Sequence, residues 1–319
     1  MRILIFGGTG YLGSNLVRKY LETDDLGGQH AVYVFSRDEA KQWELQNRYP
    51  KIECVLGDIR DKEAVCRAVS WVSPHMVIIA SALKQIVRCE EQPRESILTN
   101  ILGIEHVVDA VAMHSGVETC LFISSDKACS PVNVYGMCKS ISERIVSRVA
   151  YGTKTRFLNV RYGNIVGSTG SIVPLFKWQA KNGQELTVTD SSMTRYAMTF
   201  DDAFALITRA IASGDSGDTW IPILPSMRIA DLAHIYSAQY GVGVRTIGVR
   251  PGEKMFEELV NISESARTRR CGNYYIISPT WRNRQYTTEV ESFSYTSNDD
   301  VLIQAGLKEL LQRTGFLDD

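Results

Sequence analysis

Tyr135 and Lys139 stand four residues apart, so on a helix their side chains share one face. A free phenol ionises at about pH 10, but an ammonium and a nicotinamide cation close by would lower that value and leave a phenolate able to act as a base. Fourteen tyrosines make one such spacing unremarkable by chance, yet this is the sole YxxxK in the chain. It lies in "SSDKACSPVNVYGMCK" (124–139), with Ser124, Ser125, Asp126 and Lys127 just upstream. The same stretch carries Pro131, Asn133 and Gly136, the residues of an ordinary loop entering a helix. Its surroundings decide between chemistry and loop.

"GGTGYLG" (7–13) directly follows the first apolar run. Gly7, Gly10 and Gly13 fit GxxGxxG, and Gly8, Gly10 and Gly13 fit GxGxxG, with Thr9, Tyr11 and Leu12 between them. Such glycines allow a tight turn and let the backbone approach a pyrophosphate at the positive end of the next helix. The second apolar run ends in "SRD" (36–38), where an acid would bind the ribose hydroxyls of NAD. Ser36 and Arg37 precede Asp38, and a guanidinium at that edge suits a 2′-phosphate. The cofactor expected is therefore NADP. "GD" (57–58) follows the third run and would set Asp58 beside the adenine, unless it simply ends a strand.

These residues need a frame. "RILIF" (2–6), "AVYVF" (31–35), "IECVL" (52–56), "MVIIA" (76–80), "TCLFIS" (119–124) and "RFLNV" (156–160) read as buried strands. Their near-continuous apolar character is that of a parallel sheet covered on both faces. Stretches 11–22, 38–48, 61–70, 93–114 and 135–150 read as the helices between them. The alternation predicts an α/β fold, a doubly wound parallel (Rossmann) sheet, with a smaller C-terminal α/β substrate-binding region. The expected division is a cofactor domain over 1–165, joined by segment 200–215, and a substrate region over 166–319 that ends in a helix near 299–313.

Composition sets the outer bounds. The chain has 319 residues, 44% hydrophobic and 22% charged, as in ordinary globular proteins. A formal net charge of -1 gives no case for nucleic acid or an anionic membrane. No apolar run in the sequence approaches a membrane span, and "MRILIF" reads as a strand rather than a signal peptide. Seven scattered cysteines form no CxxC pair, which argues against a zinc site or disulfide framework and for a reducing cytoplasm. No metal is expected.

With these motifs in place, the chain resembles the extended short-chain dehydrogenase/reductase superfamily. Within it, the chain is similar to the inverting UDP-N-acetylglucosamine 4,6-dehydratases of bacterial surface-sugar pathways. The likeness covers nearly the whole length. It rests on "GGTGYLG", "SRDE", "GDIRDKE", "SSDKACSPVNVYGMCK", "RYGNIVGS", "GSIVPLFK", "MTRYAMTFDDA", "IPILPSMRIADLA" and "RPGEKMFE". The family's Ser-Thr-Asp-Lys segment matches Ser124-Ser125-Asp126-Lys127, with serine for threonine.

The resemblance implies a set of roles. Tyr135 would take the proton from the sugar O4 while C4 gives hydride to NADP⁺, with Lys139 holding the ribose and tuning Tyr135. Lys127, as a neutral amine, would remove the C5 proton, and Asp126 would protonate the departing 6-hydroxyl; Ser125 joins this catalytic set. Hydride then returns to C6, and C5 is reprotonated on the opposite face. Ile59, Ala80, Ser81 and Ala82 would complete the cofactor site. Arg195 and Arg250 would pair with the UDP diphosphate, Asn164 and the "GSIVP" backbone with Ser171 and Val173 would line the uridine side, and Lys84 the sugar side. Glu253 belongs to the same site and would orient Arg250 or its turn. The partners implied are UDP-N-acetylglucosamine or a close UDP-sugar, and further copies of the chain, as a dimer or hexamer formed through 93–114 and 135–150.

Two segments depart from the family pattern. Lys-His-Val-Pro becomes "KQIV" (84–87), and Thr169 in "GSTGS" stands where the family has arginine. Three other functions fit the same scaffold. A dehydratase could release the 5,6-unsaturated sugar. A 4-epimerase would use Tyr135 and Lys139 but not Asp126 and Lys127. A non-catalytic NADP sensor would be expected to lose the tyrosine or lysine that this chain keeps.

Overall fold

Strand β1 (Arg2–Phe6) sends Ile3 and Ile5 into one apolar core and Leu4 and Phe6 into another, all four without exposed surface. A strand covered on both faces has no polar side to show, which explains the unbroken apolar run. Burying each such side chain contributes about 1.5–3 kcal/mol. The structure is a computed structural model that describes residues 1–23, 30–282 and 292–317.

Strands β2 (Ala31–Ser36), β3 (Glu53–Leu56), β4 (Met76–Ile79), β5 (Thr119–Ile123) and β6 (Arg156–Val160) join β1 in parallel, in the order β3-β2-β1-β4-β5-β6. The chain then leaves through β7 (Leu186–Val188) and β8 (Thr194–Tyr196) and returns as β9 (Thr219–Pro222), parallel to β6. It leaves again through β10 (Ser226–Arg228), β11 (Val244–Thr246) and β12 (Glu258–Val260). Strands β13 (Thr268–Cys271) and β14 (Tyr274–Ile277) then add an antiparallel hairpin beyond β9, so the sheet draws on both halves of the chain. Outside the sheet, β8 pairs with β10, β7 with β11, and β12 with β15 (Tyr295–Thr296).

Helices α1 (Tyr11–Glu22), α2 (Glu39–Arg48), α3 (Lys62–Val72) and α4 (Ile86–Glu91) follow the first four strands. The helix expected over 93–114 is interrupted: α5 (Pro93–Ile97) and α6 (Gly103–Met113) are joined by a π turn at Leu98–Leu102. The Asn100 side chain inside that turn bonds both the N–H and the carbonyl of Leu83, while Ser142 donates to the Asn100 carbonyl. These outside partners draw the backbone out of the regular ladder. Contrary to the sequence expectation, Pro93–Met113 is long and apolar enough to cross a bilayer; half of its apolar window is buried, against α3 and α7 (Val134–Val149).

Among the later helices, α8 (Ile172–Lys181), α10 (Ile229–Tyr240) and α12 (Gln304–Arg313) enclose a third core with Phe176, Leu232, Tyr236 and Leu311. Helix α9 (Phe200–Ser213) instead returns to the sheet, packing on α1, β6 and β9. The short α11 (Ile262–Ser265) precedes β13.

One packing contact bears directly on the chemistry. Asn133 caps α7 by accepting from the Gly136 N–H at 2.8 Å. A Cβ on Gly136 would collide with the Lys127 carbonyl, so only glycine lets the first turn of α7 lie against the turn that carries Asp126 and Lys127. Replacing Gly136 with Ala is expected to cost about 1–3 kcal/mol. A denaturant midpoint that falls with an unchanged slope would bear this out; an unchanged midpoint would contradict it.

Candidate active site

The chain leaves β1, β4, β5 and β6 into one cavity of about 490 Å³, at the carboxyl edge where such sheets bind ligands. Its first wall is the glycine loop. Gly7 adopts φ +82°, and a Cβ there would lie 2.7 Å from the Ser81 nitrogen. A Cβ on Gly13 would strike the backbone of Gly7 and Gly8. Gly10 precedes α1 with no side-chain cap, so the first-turn N–H groups are left for a ligand. Gly10, Tyr11, Leu12, Ala80 and Ala82 line the cavity, with half-buried Thr9 beside them in the loop. This cradle fits a dinucleotide.

The ribose end is also arranged. Gln42 donates to the carbonyl and hydroxyl of Ser36, at 2.9 and 3.0 Å, and fixes that strand end. The Arg37 side chain is 57% exposed, and its one ion pair among the described residues is a long contact of 3.8 Å to Asp58. Asp58 is not open to an adenine as expected, because Arg60 forks onto both of its oxygens at 2.6–3.0 Å. Burial pushes the Asp58 carboxyl up, and the Arg60 bonds outweigh it and hold it below the usual carboxylate range. Ile59 is likewise core rather than cavity wall, 5% exposed, where a Cβ on Gly103 would meet it.

The reactive centre begins where β5 ends. Ser125 accepts from the Lys127 N–H and donates to Asp126 Oδ1 at 2.8 Å, which closes a single 3-10 turn over Asp126–Ala128. The Asp126 N–H donates to the Tyr162 carbonyl after β6. Lys127 Nζ lies 2.9 Å from Asp126 Oδ1 and 3.3 Å from Glu257 Oε1. Burial alone would favour the neutral amine. Asp126 and Glu257 outweigh that and hold Lys127 above the ordinary lysine value, with Arg195 opposing them. The neutral Lys127 implied by the resemblance is therefore not the resting form.

Tyr135 stands at the second position of α7, 7% exposed. Burial pushes its phenol up to about 12, and the Lys127 charge and the Ser125 hydroxyl draw it partly back. The expected lowering by Lys139 is absent from the protein alone. Lys139 Nζ donates to the Ile123 carbonyl at 2.7 Å and sits 4.4 Å from the Phe122 ring centroid. Burial pushes Lys139 itself down to about 7.

On the substrate side, Asn164, Ser171 and Glu253 line the cavity, each with a buried side-chain oxygen that has no hydrogen-bond partner among the described residues. Arg250 is exposed at the rim. Arg195 is differently placed from the expectation: it donates to the carbonyls of Thr194, Lys254 and Met255 and lies 3.7 Å from Glu257, so its donors are taken within the fold. Val173 turns its side chain into the third core at 1% exposure and could offer a ligand only its backbone. Lys84 bonds the Thr169 carbonyl at 2.8 Å, and Gln85 lies against Gly170. The two segments that depart from the family pattern thus meet across the cavity mouth.

Glu257 is the residue the sequence did not mark. It ends "RPGEKMFE" as one of two adjacent glutamates, and no spacing links it to Lys127. Only the fold brings it there.

Comparison with known proteins places the whole chain among relatives. Residues 3–279 match the family model described as polysaccharide biosynthesis protein. The chain is 36% identical to UDP-N-acetylglucosamine 4,6-dehydratase (inverting) of Campylobacter jejuni, over 97% of this chain and 96% of that one. It is 37% identical to UDP-glucose 4-epimerase of Rickettsia canadensis, over 89% and 84%. The X-ray structure of Pen from Bacillus thuringiensis superposes with a TM-score of 0.90 at 32% identity, covering 99% of this chain and 98% of that one.

Lys139 makes stability depend on pH. Its folded value of about 7 lies below the ordinary 10.5, so between the two the unfolded chain binds more protons and stability rises with pH. Wild type without ligand should therefore gain on Lys139→Met as pH rises through that window, measured by denaturant unfolding of both. A pH-independent difference would show that Lys139 is not depressed.

Proposed function

The chain belongs to the polysaccharide biosynthesis protein family of the extended short-chain dehydrogenase/reductases, and on that premise we propose that it is an inverting UDP-N-acetylglucosamine 4,6-dehydratase. One observation carries the choice: the Asp126–Lys127 pair, with Glu257 behind it, stands beside Tyr135. A 4-epimerase works at C4 alone and has no use for a second acid–base pair. A dehydratase needs one, because it must remove a proton at C5 and a hydroxyl at C6.

With a nicotinamide cation bound to lower the phenol that burial raises in the protein alone, Tyr135 would accept the proton of the sugar O4. The bound cofactor would supply the hydride acceptor for C4 and the hydride donor for C6. The C4 ketone makes the neighbouring C5–H acidic. Lys127 and Asp126 lie 2.9 Å apart, so with substrate bound a transfer of the Lys127 proton to Asp126 would leave an amine beside a carboxylic acid without any outside proton. The Lys127 amine then takes the C5 proton while Asp126 protonates O6, and water leaves. A solvent-derived proton delivered to C5 on the face opposite to the one that lost its hydrogen would invert that centre. Arg250 suits the diphosphate, and the unpartnered oxygens of Asn164 and Glu253 suit donors of the nucleotide sugar.

A second reading has its own observation. Gln85 and Thr169, the residues in the Lys84–Thr169 and Gln85–Gly170 contacts that depart from the family pattern, lie at the cavity mouth, where release of a 5,6-alkene would be decided.

The product of UDP-N-acetylglucosamine in deuterium oxide is expected to be UDP-2-acetamido-2,6-dideoxy-β-L-arabino-hexos-4-ulose. It should carry one solvent deuterium at C5 and at C6 the hydrogen that left C4, by proton NMR. Tyr135→Phe should lose C4 oxidation, and Lys127→Ala should keep it while losing water elimination by ~10²–10⁴-fold. A D-xylo product, an exocyclic alkene or a 4-epimer would each replace the proposed activity with a different one.

NADP rests on Arg37, the cation that stands open at the ribose edge. The purified protein is expected to release NADP on heating, and Arg37→Ala to weaken NADP⁺ while sparing NAD⁺. Released NAD, or equal weakening of both, would count against it.

A further inference from the structure

Glu257 is held more firmly than a wall residue needs to be. It is 2% exposed, its N–H donates to Ser297 Oγ at 2.9 Å, and its carbonyl accepts from the Ser297 N–H at 2.8 Å. The Ser297 hydroxyl is in turn 2.8 Å from Thr194 Oγ1, next to Arg195. Oε1 then reaches Lys127 at 3.3 Å and Arg195 at 3.7 Å. Oε2 is buried at the cavity wall with no hydrogen-bond partner among the described residues.

A carboxylate buried this deeply is unfavourable unless its charge is used. Arg195 alone does not explain it, because three backbone carbonyls already take that guanidinium. The charged and titratable groups facing Lys127 are Asp126 from its own turn, Tyr135 from α7, Arg195 from β8, and Glu257 from the segment before β12. Two carboxylates face two cations, and Lys127 is the one cation that the reaction must discharge and recharge.

We propose that Glu257 is the positioning carboxylate of this centre: it orients Lys127 toward Asp126 and stabilises the ammonium that forms as C5 gives up its proton. The logic is that of a buried acid that orients a catalytic base and supports the charge the base acquires. The proposal rests on the dehydratase reading. Without Glu257, Lys127 would keep one carboxylate and face the Arg195 charge unopposed. Lys127 would then give up its proton at lower pH.

Glu257→Gln keeps the shape and removes the charge, and Glu257→Asp keeps the charge on a shorter arm. With folding checked by circular dichroism, both are compared with wild type on UDP-N-acetylglucosamine. The readouts are absorbance of the reduced cofactor for C4 oxidation, deuterium at C5, and the pH profile of kcat in ordinary water. For Glu257→Gln, C5 exchange should fall ~10²-fold or more relative to C4 oxidation, and the basic limb of kcat should move down by about one pH unit. Glu257→Asp should lower the rate but keep the limb at its wild-type position, which decides the matter even if the Gln variant does not fold. Wild-type rates in Glu257→Gln, a lowered rate on an unmoved limb, or a displaced limb in Glu257→Asp would each overturn the proposal. A wild type that forms no 4-keto sugar would overturn the dehydratase reading first, and this one with it.

Discussion

The ammonium of Lys127, held between Asp126 and Glu257, is the interaction on which the rest of the site depends. Asp126 comes from the turn after β5, Glu257 from the segment before β12, and Arg195 behind them from β8. Three parts of the chain must meet within ion-pair distance to balance the charges. Removing one partner of such a buried pair typically costs about 3–5 kcal/mol, because the other charge stays uncompensated. The second region is thus tied to the sheet by electrostatics as well as by its apolar core.

That arrangement brings two kinds of titratable group to one cavity. Tyr135 has its phenol raised by burial and faces a cation, while Lys127 is ion-paired with Asp126 at 2.9 Å. Lys139, a turn along α7, sits in drier surroundings and is pushed toward neutrality, bonded to the end of β5. Two lysines twelve residues apart in sequence are therefore driven in opposite directions. Neighbouring carboxylates make the difference: Lys127 touches two, whereas burial dominates at Lys139.

The mouth of the cavity is built separately from its floor. The loop after β4 reaches the loop before α8 through Lys84 and Thr169, and Gln85 packs on Gly170. These contacts lie away from the proton-transfer residues.

The parallel strands, the glycine loop and the Tyr135–Lys139 spacing were determined by the sequence itself, because each depends on local periodicity or on neighbours a few residues away. Short apolar runs rich in β-branched residues suit strands buried on both faces, and Gly7 and Gly13 have no room for a side chain. Other expectations were one unbroken helix over 93–114, an open Asp58 and, from the family resemblance, an Arg195 free for diphosphate. The helix and Arg195 were decided instead by distant partners, Leu83 and Ser142 at the π turn and the carbonyls of residues 254 and 255 on Arg195, and Asp58 by its near neighbour Arg60, whose side-chain direction the sequence does not show. Glu257 is the clearest instance, since charge and desolvation act through space and depend on which groups the fold brings within a few ångströms. Residue types determined what chemistry was available here; only the tertiary structure decided which side chains were charged, which were already bonded, and which remained open to a substrate.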